Sequence, residues 1–180
     1  MLSVVLPAYN EEKMIQKAAG TIGGILQIEA IDYEIIFVDD GSKDGTGQQI
    51  EQTQKEDQHV NGVRFSRNFG KEAAMFAGLE KSKGDYVVMM DVDLQDPPSL
   101  LPEMFEWIWQ GYDSVATRRV TRKGEPPIRS FFARRFYHLM KKISQTEMMD
   151  GARDYRLMTR QMVDAILSMR EYNRFTKGIF

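Results

Sequence analysis

The sequence contains no cysteine and only two histidines, His59 and His138, far apart along the chain. Disulfides and thiolate metal sites are thereby excluded, and the histidines lack zinc spacing, so any bound metal is expected to be held by oxygen. Long apolar runs are missing too. The longest, Ile35–Val38 and Tyr86–Met90, fall far short of the roughly 20 residues that a membrane-spanning helix needs. No Gly-x-Gly-x-x-Gly follows the first apolar run and no Gly-x-x-x-x-Gly-Lys-Ser/Thr occurs anywhere, which argues against a dinucleotide oxidoreductase and a P-loop enzyme. No serine has a partnered histidine that would mark a nucleophile. The opening Met1-Leu2-Ser3 enters an apolar run directly, without a basic leader of signal-peptide type, so a cytoplasmic location is expected.

What is present is a core, a charge asymmetry and a pair of acids. With 180 residues, 42% of them hydrophobic, one domain is the simplest count. Residues 1–117 hold 9 Lys and Arg against 20 Asp and Glu, whereas residues 118–142 hold 9 against 1. A basic segment beside an acidic body suits an anionic ligand, a membrane surface or nucleic acid, and a solvated helix face is the plain alternative. Phe131, Phe132, Phe136 and Tyr137 stand among those cations, which favours a lipid headgroup interface. The acidity of the body argues against wrapping a polyanion, so no nucleic-acid partner is expected.

Strand and helix patterns alternate. Leu2–Pro7, Tyr33–Val38, Val63–Phe65, Tyr86–Met90, Ser114–Thr117 and Asp154–Met158 read as strands. Glu11–Ile28, a helix capped by Thr46 and running to about Asp57, Lys71–Lys81, Ser99–Gln110, Ser130–Lys142 and Arg160–Met169 read as helices. Continuously apolar strands between helices predict an α/β fold, a Rossmann-like, mostly parallel central sheet covered on both faces. Such sheets bind ligands beyond the carboxyl ends of their strands. Pro7-Ala8-Tyr9-Asn10-Glu11, Asp39-Asp40 and Asp91-Val92-Asp93 all follow strand ends and are expected to meet in one crevice.

Asp91 and Asp93 stand two residues apart, so on extended backbone they share a face. Two like charges that close need a cation between them, and a divalent metal carrying a phosphorylated ligand meets that need. Gln95 adds an oxygen two residues on. Mg²⁺ or Mn²⁺ suits few carboxylates plus phosphate oxygens and water, so the chain is read as handling a nucleotide. Asp39 and Asp40 are either turn formers or acceptors for a ribose or a base N–H. Tyr9 either packs or stacks on a base, and Glu11 is alternatively a first-turn helix residue.

Val4–Glu12, Val38–Thr46 and Asp91–Pro98, in that order, resemble the three successive signatures of family 2 glycosyltransferases. Arg67-Asn68-Phe69-Gly70-Lys71-Glu72-Ala73-Ala74 and Asp154-Tyr155-Arg156-Leu157-Met158 are most similar to the bacterial polyprenyl-phosphate glycosyltransferases, relatives of dolichyl-phosphate mannose synthase. The resemblance covers essentially the whole chain. It implies a GT-A fold and inverting transfer of a sugar from a nucleoside diphosphate sugar to a polyprenyl phosphate at the cytoplasmic face of the cell membrane. UDP and glucose follow from the same analogy. Pro7, Ala8, Tyr9, Glu11, Val38, Asp39, Asp40, Lys71, Asp91 and Val92 would then hold the nucleotide sugar. Asp91, Asp93 and Gln95 would bind the metal, and Asp154 with Asp93 would act in catalysis. Arg118, Arg119, Arg129 and Arg135 would meet the acceptor phosphate or the diphosphate. Residues 1–180 would be one catalytic domain that continues into membrane helices, with a homo-oligomer left open. Transfer to a hydroxyl acceptor and a non-catalytic nucleotide-sugar binding module are the alternatives.

Overall fold

The computed structural model describes residues 1–118 and 152–169. Six strands form one sheet: β1 (Leu2–Ala8), β2 (Tyr33–Asp39), β3 (Val60–Arg64), β4 (Tyr86–Met89), β5 (Ser114–Arg118) and β6 (Ala152–Thr159). Their spatial order is β3-β2-β1-β4-β6-β5. The pairs β3–β2, β2–β1 and β1–β4 are parallel, while β6 runs antiparallel to both β4 and β5. Five strands therefore point one way and β6 alone points the other, which makes the sheet mostly parallel, as the pattern predicts.

Both faces are covered, because the period-2 alternation of each strand sends apolar residues to both sides. Val4, Leu6, Ile35, Phe37, Val88 and Leu157 join Ile15, Ala18, Ile22 and Leu26 of α1 (Ile15–Ile28) and Leu101, Met104 and Phe105 of α4 (Leu101–Trp109). On the other face, Val5, Val87, Met89 and Met158 pack against Met75 and Leu79 of α3 (Lys71–Lys81) and Val163 and Ile166 of α5 (Arg160–Ser168). α2 (Thr46–Glu56) lies on the α1 side through Ile50.

Several element boundaries differ from the sequence expectation for local reasons. α1 starts at Ile15 rather than Glu11, because residues 10–12 are tied to the loop after β2 before the chain can coil. The Asn10 amide donates to Ser42 Oγ at 2.9 Å, the Glu11 amide to Thr46 Oγ1 at 2.8 Å, and Glu12 Oε2 accepts from the Gly45 amide at 2.9 Å. Thr46 is not the cap of α2 but its first residue; Asp44 Oδ1 accepts from the Thr46 amide at 3.0 Å and from its hydroxyl at 2.5 Å. β3 begins at Val60 rather than Val63, and β6 runs from Ala152 to Thr159, longer than Asp154–Met158. The helix expected over Ser99–Gln110 opens with a 3-10 turn, Pro98–Leu100, before α4. The helix expected over Ser130–Lys142 lies outside the described residues.

Close packing of α3 on β1 and β2 rests on Gly78, where an added Cβ would stand 2.2 Å from Val5 Cγ1 and 3.3 Å from Val38 Cγ2. Gly20 on α1 is exposed with nothing within 4 Å of the same atom. Gly78→Ala is expected to lower stability by about 1–3 kcal/mol through overpacking. Gly20→Ala is expected to raise it by up to about 1 kcal/mol through helix propensity. Urea unfolding of both variants checks the pair.

Candidate active site

Parallel strand direction brings the carboxyl ends of β1, β2 and β4 to one edge, and a cavity of about 470 Å³ opens there. Its walls include Pro7, Ala8, Tyr9 and Glu11 after β1, Asp40 after β2, Asn68, Gly70, Lys71 and Ala74 at the start of α3, and Asp91, Val92 and Asp93 after β4. The size suits a small-molecule ligand. β6 runs the other way, so its amino end reaches the same edge. Extending the pairing Met89↔Arg156 by two residues sets Asp154 opposite Asp91.

Asp40 builds one wall. Its side chain is buried; Oδ1 accepts from the Phe69 amide at 2.7 Å and Oδ2 from the Gly70 amide at 2.9 Å. Gly41, at φ +67°, runs so close to this segment that a Cβ would lie 2.3 Å from the Arg67 carbonyl carbon. The Arg67–Gly70 loop is thereby clamped against the end of β2, which positions Lys71 at the first turn of α3. Asp39 is fully buried and does not line the cavity: Oδ1 accepts from the Ser42 amide at 2.8 Å, and Oδ2 lies 3.3 Å from Arg64 Nε without hydrogen-bond geometry. Val38 is likewise interior. Both carboxylates thus work in the loop's own construction, a role the turn-former reading contains.

Asp91 and Asp93 reach the same cavity by a route other than strand alternation. β4 ends at Met89, and residues 92–93 form a turn that continues into Leu94 at φ +58°. Asp93 Oδ1 accepts from the Gln95 amide at 3.0 Å, whereas Gln95 itself is exposed and outside the cavity wall. Tyr9 is 42% exposed, its ring on the cavity wall rather than in the core. Of the four arginines, Arg118 ends β5 at the crevice edge of the sheet with an exposed side chain; Arg119, Arg129 and Arg135 lie outside the described residues.

The electrostatics are acidic with one inserted cation. Burial raises the Glu11 pKa, and the charges of Asp93, Asp44 and Asp91 raise it further. Lys71 Nζ stands 2.5 Å from Asp91 Oδ1 and 2.6 Å from Asp154 Oδ2. Burial alone would lower the Lys71 pKa, but the hydrogen bonds and charges of Asp154 and Asp91 outweigh it and hold the ammonium above its ordinary value. This bridge was not read from the sequence, which placed Lys71 only among nucleotide-sugar contacts. Asn68 and Gly70 were also missed as wall residues; the signal was their place just ahead of Lys71 in the quoted motif.

Among the described residues no three carboxylates or histidines gather closely enough to hold a metal by themselves. Asp91 and Asp93 put carboxylate oxygens on the cavity wall, the donor type that a hard divalent ion takes together with phosphate and water. No helix among the described residues is long and apolar enough to cross a membrane.

Comparison with known proteins agrees with this architecture. The family model of glycosyl transferase family 2 matches residues 3–167. The chain is 40% identical over its whole length to a putative glycosyltransferase, CsbB, of Bacillus subtilis, and 39% identical over 99% of its length to the bactoprenol glucosyl transferase of Shigella phage SfV. It spans 54% and 58% of those two proteins. Among solved structures, mannosyl-3-phosphoglycerate synthase from Rubrobacter xylanophilus superposes with a TM-score of 0.67 at 20% identity, over 90% of this chain and 54% of that one. Glucosyl-3-phosphoglycerate synthase from Mycobacterium tuberculosis, crystallised with Mn²⁺, UDP-glucose and phosphoglyceric acid, gives 0.62 at 24% identity, over 90% and 57%. These neighbours share the GT-A fold.

If the clamp sets the cavity wall, Asp40→Ala should lower stability by about 2–4 kcal/mol, since two amides lose a charged acceptor. Hydrogen exchange at Phe69 and Gly70 should accelerate, and unchanged exchange there would contradict the assignment. The sequence signatures, the mostly parallel sheet and the match over residues 3–167 together establish that the chain belongs to glycosyl transferase family 2.

Proposed function

We propose that this chain is the catalytic part of a metal-dependent, inverting glycosyltransferase that moves a sugar from a nucleoside diphosphate sugar to a polyprenyl phosphate. The observation that carries the reading is the crevice itself, where the acidic loop tips after β1 and β4 share one cavity with Lys71, whose ammonium is paired with Asp91 and Asp154. UDP-glucose as donor is supported by the relatives named bactoprenol glucosyl transferase at 39% identity and by a neighbour crystallised with UDP-glucose and Mn²⁺. The acceptor lipid would be met at a membrane face, a setting that the cations and aromatics of residues 118–142 suit by composition.

Asp93 and Asp91 would hold Mg²⁺ or Mn²⁺, which when bound would offset the charge of the departing diphosphate. Tyr9 offers a ring for the base, and Pro7, Ala8 and Val92 form an apolar floor for the nucleoside. An oxygen of the acceptor phosphate attacks the anomeric carbon; the bond from that carbon to the diphosphate oxygen breaks, and the diphosphate leaves with the electron pair. A phosphate monoester has a second pKa of about 6, so near neutrality it is already largely a dianion and no strong base is required. Positioning and charge compensation become the main tasks. Asp154, with Oδ2 engaged by the Lys71 ammonium, fits an orienting role better than that of a free base for an alcohol.

In the intact protein with Mn²⁺, UDP-glucose and a polyprenyl phosphate, radiolabelled sugar is expected in the lipid product, and chelation should abolish it. Asp93→Asn should reduce turnover by roughly 10²–10³-fold. Nucleotide binding by the wild type with neither transfer nor slow sugar release would instead identify a binding module. Glu11→Gln should raise the melting temperature of the metal-free protein, because a neutral amide is spared the burial cost of the carboxylate and its repulsion from Asp93, Asp44 and Asp91. It should also weaken metal–nucleotide binding; calorimetry of the same variant checks both signs.

A further inference from the structure

The ammonium of Lys71 stands between two carboxylates on neighbouring, antiparallel strands, Asp91 just after β4 and Asp154 on β6. We propose that Lys71 is a tethered counter-cation: it joins these carboxylates while the donor is absent and keeps the acidic site from filling with metal alone. The inference rests on the functional reading above and adds an order of binding to it, in which metal binds well only together with the diphosphate.

Three observations carry it. Lys71 contacts both carboxylates within hydrogen-bond distance, so a monovalent charge already occupies one oxygen of Asp91. A divalent ion approaching Asp91 would meet that charge at a few ångströms and be repelled by it, the more strongly the less solvent intervenes. Second, the side chain springs from a fixed base: Gly70, at φ +97°, leads directly into α3, and its amide is gripped by Asp40. Third, the remaining acids cannot close a shell unaided, since no three of them gather around a single point among the described residues. Phosphate oxygens supply the missing ligands and also give the displaced ammonium a new anionic partner. Lys71 is then a positioning residue for Asp154 as well, because the bridge spans two strands that run in opposite directions.

The test is direct titration of Mn²⁺ into the intact protein, followed by calorimetry and by the paramagnetic signal of free Mn²⁺, without nucleotide and with UDP. Lys71→Met and Lys71→Gln should bind Mn²⁺ alone roughly tenfold more tightly than the wild type, the scale expected for removal of one like charge nearby. The gain that UDP brings to Mn²⁺ affinity should shrink in both variants. Lys71→Arg, which keeps the charge, should behave as the wild type. Unchanged or weaker binding of Mn²⁺ alone by the neutral variants would overturn the proposal. Wild-type affinity for Mn²⁺ that is equal with and without UDP would overturn it even if the neutral variants fail to fold. Failure of sugar transfer with the titration pattern intact would overturn the proposed reaction but not the role of Lys71.

Discussion

Strand direction forces like charges together at one edge of this sheet, and the rest of the site answers that repulsion. β1 and β4 are parallel neighbours, so the acids that follow them, Glu11, Asp91 and Asp93, cannot be far apart. β6 enters antiparallel beside β4 and delivers Asp154 to the same place. Burial and neighbouring negative charge both push the Glu11 pKa upward, which is the electrostatic cost of this convergence expressed at one residue. A cation is the natural remedy, and the chain provides one of its own in Lys71.

The acidic loops are also structural parts. Asn10, Glu11 and Glu12 are laced to Ser42, Lys43, Gly45 and Thr46, and Asp40 gives both carboxylate oxygens, Asp39 one, to backbone amides. The side chains that remain directed at the cavity, Tyr9, Lys71, Asp91 and Asp93, are thus mounted on a rigid rim. Such support is what positions charges without reorganisation during a reaction. In the proposed reaction, that rim would hold the donor while the acceptor phosphate attacks.

Much of this was legible in the sequence, and the exceptions have physical causes. Apolar runs such as Val4–Leu6 and Ile35–Val38 announce buried parallel strands, because both faces of such strands are covered. The convergence of three loops followed from strand direction alone. Helix starts were less legible: Thr46 looked like a cap, yet Asp44 takes the capping hydrogen bonds while the Thr46 hydroxyl serves the Glu11 amide across the fold. That contact spans 35 residues and has no local signature. Likewise, the pairing of Asp91 with Asp154 through Lys71 depends on β6 inserting between β4 and β5, a topological fact that residue spacing does not encode. Asp39 shows the reverse, a conspicuous acid whose oxygens face inward.

The account is tested most directly by crystals of the intact protein grown with Mn²⁺ and UDP-glucose and measured at the manganese absorption edge. An anomalous peak within coordination distance of Asp93, with the nucleoside against Tyr9 and Lys71 withdrawn from Asp91, is the expected result. A nucleotide bound outside the crevice between β1 and β4, or manganese lodged away from Asp91 and Asp93, would contradict the central claim.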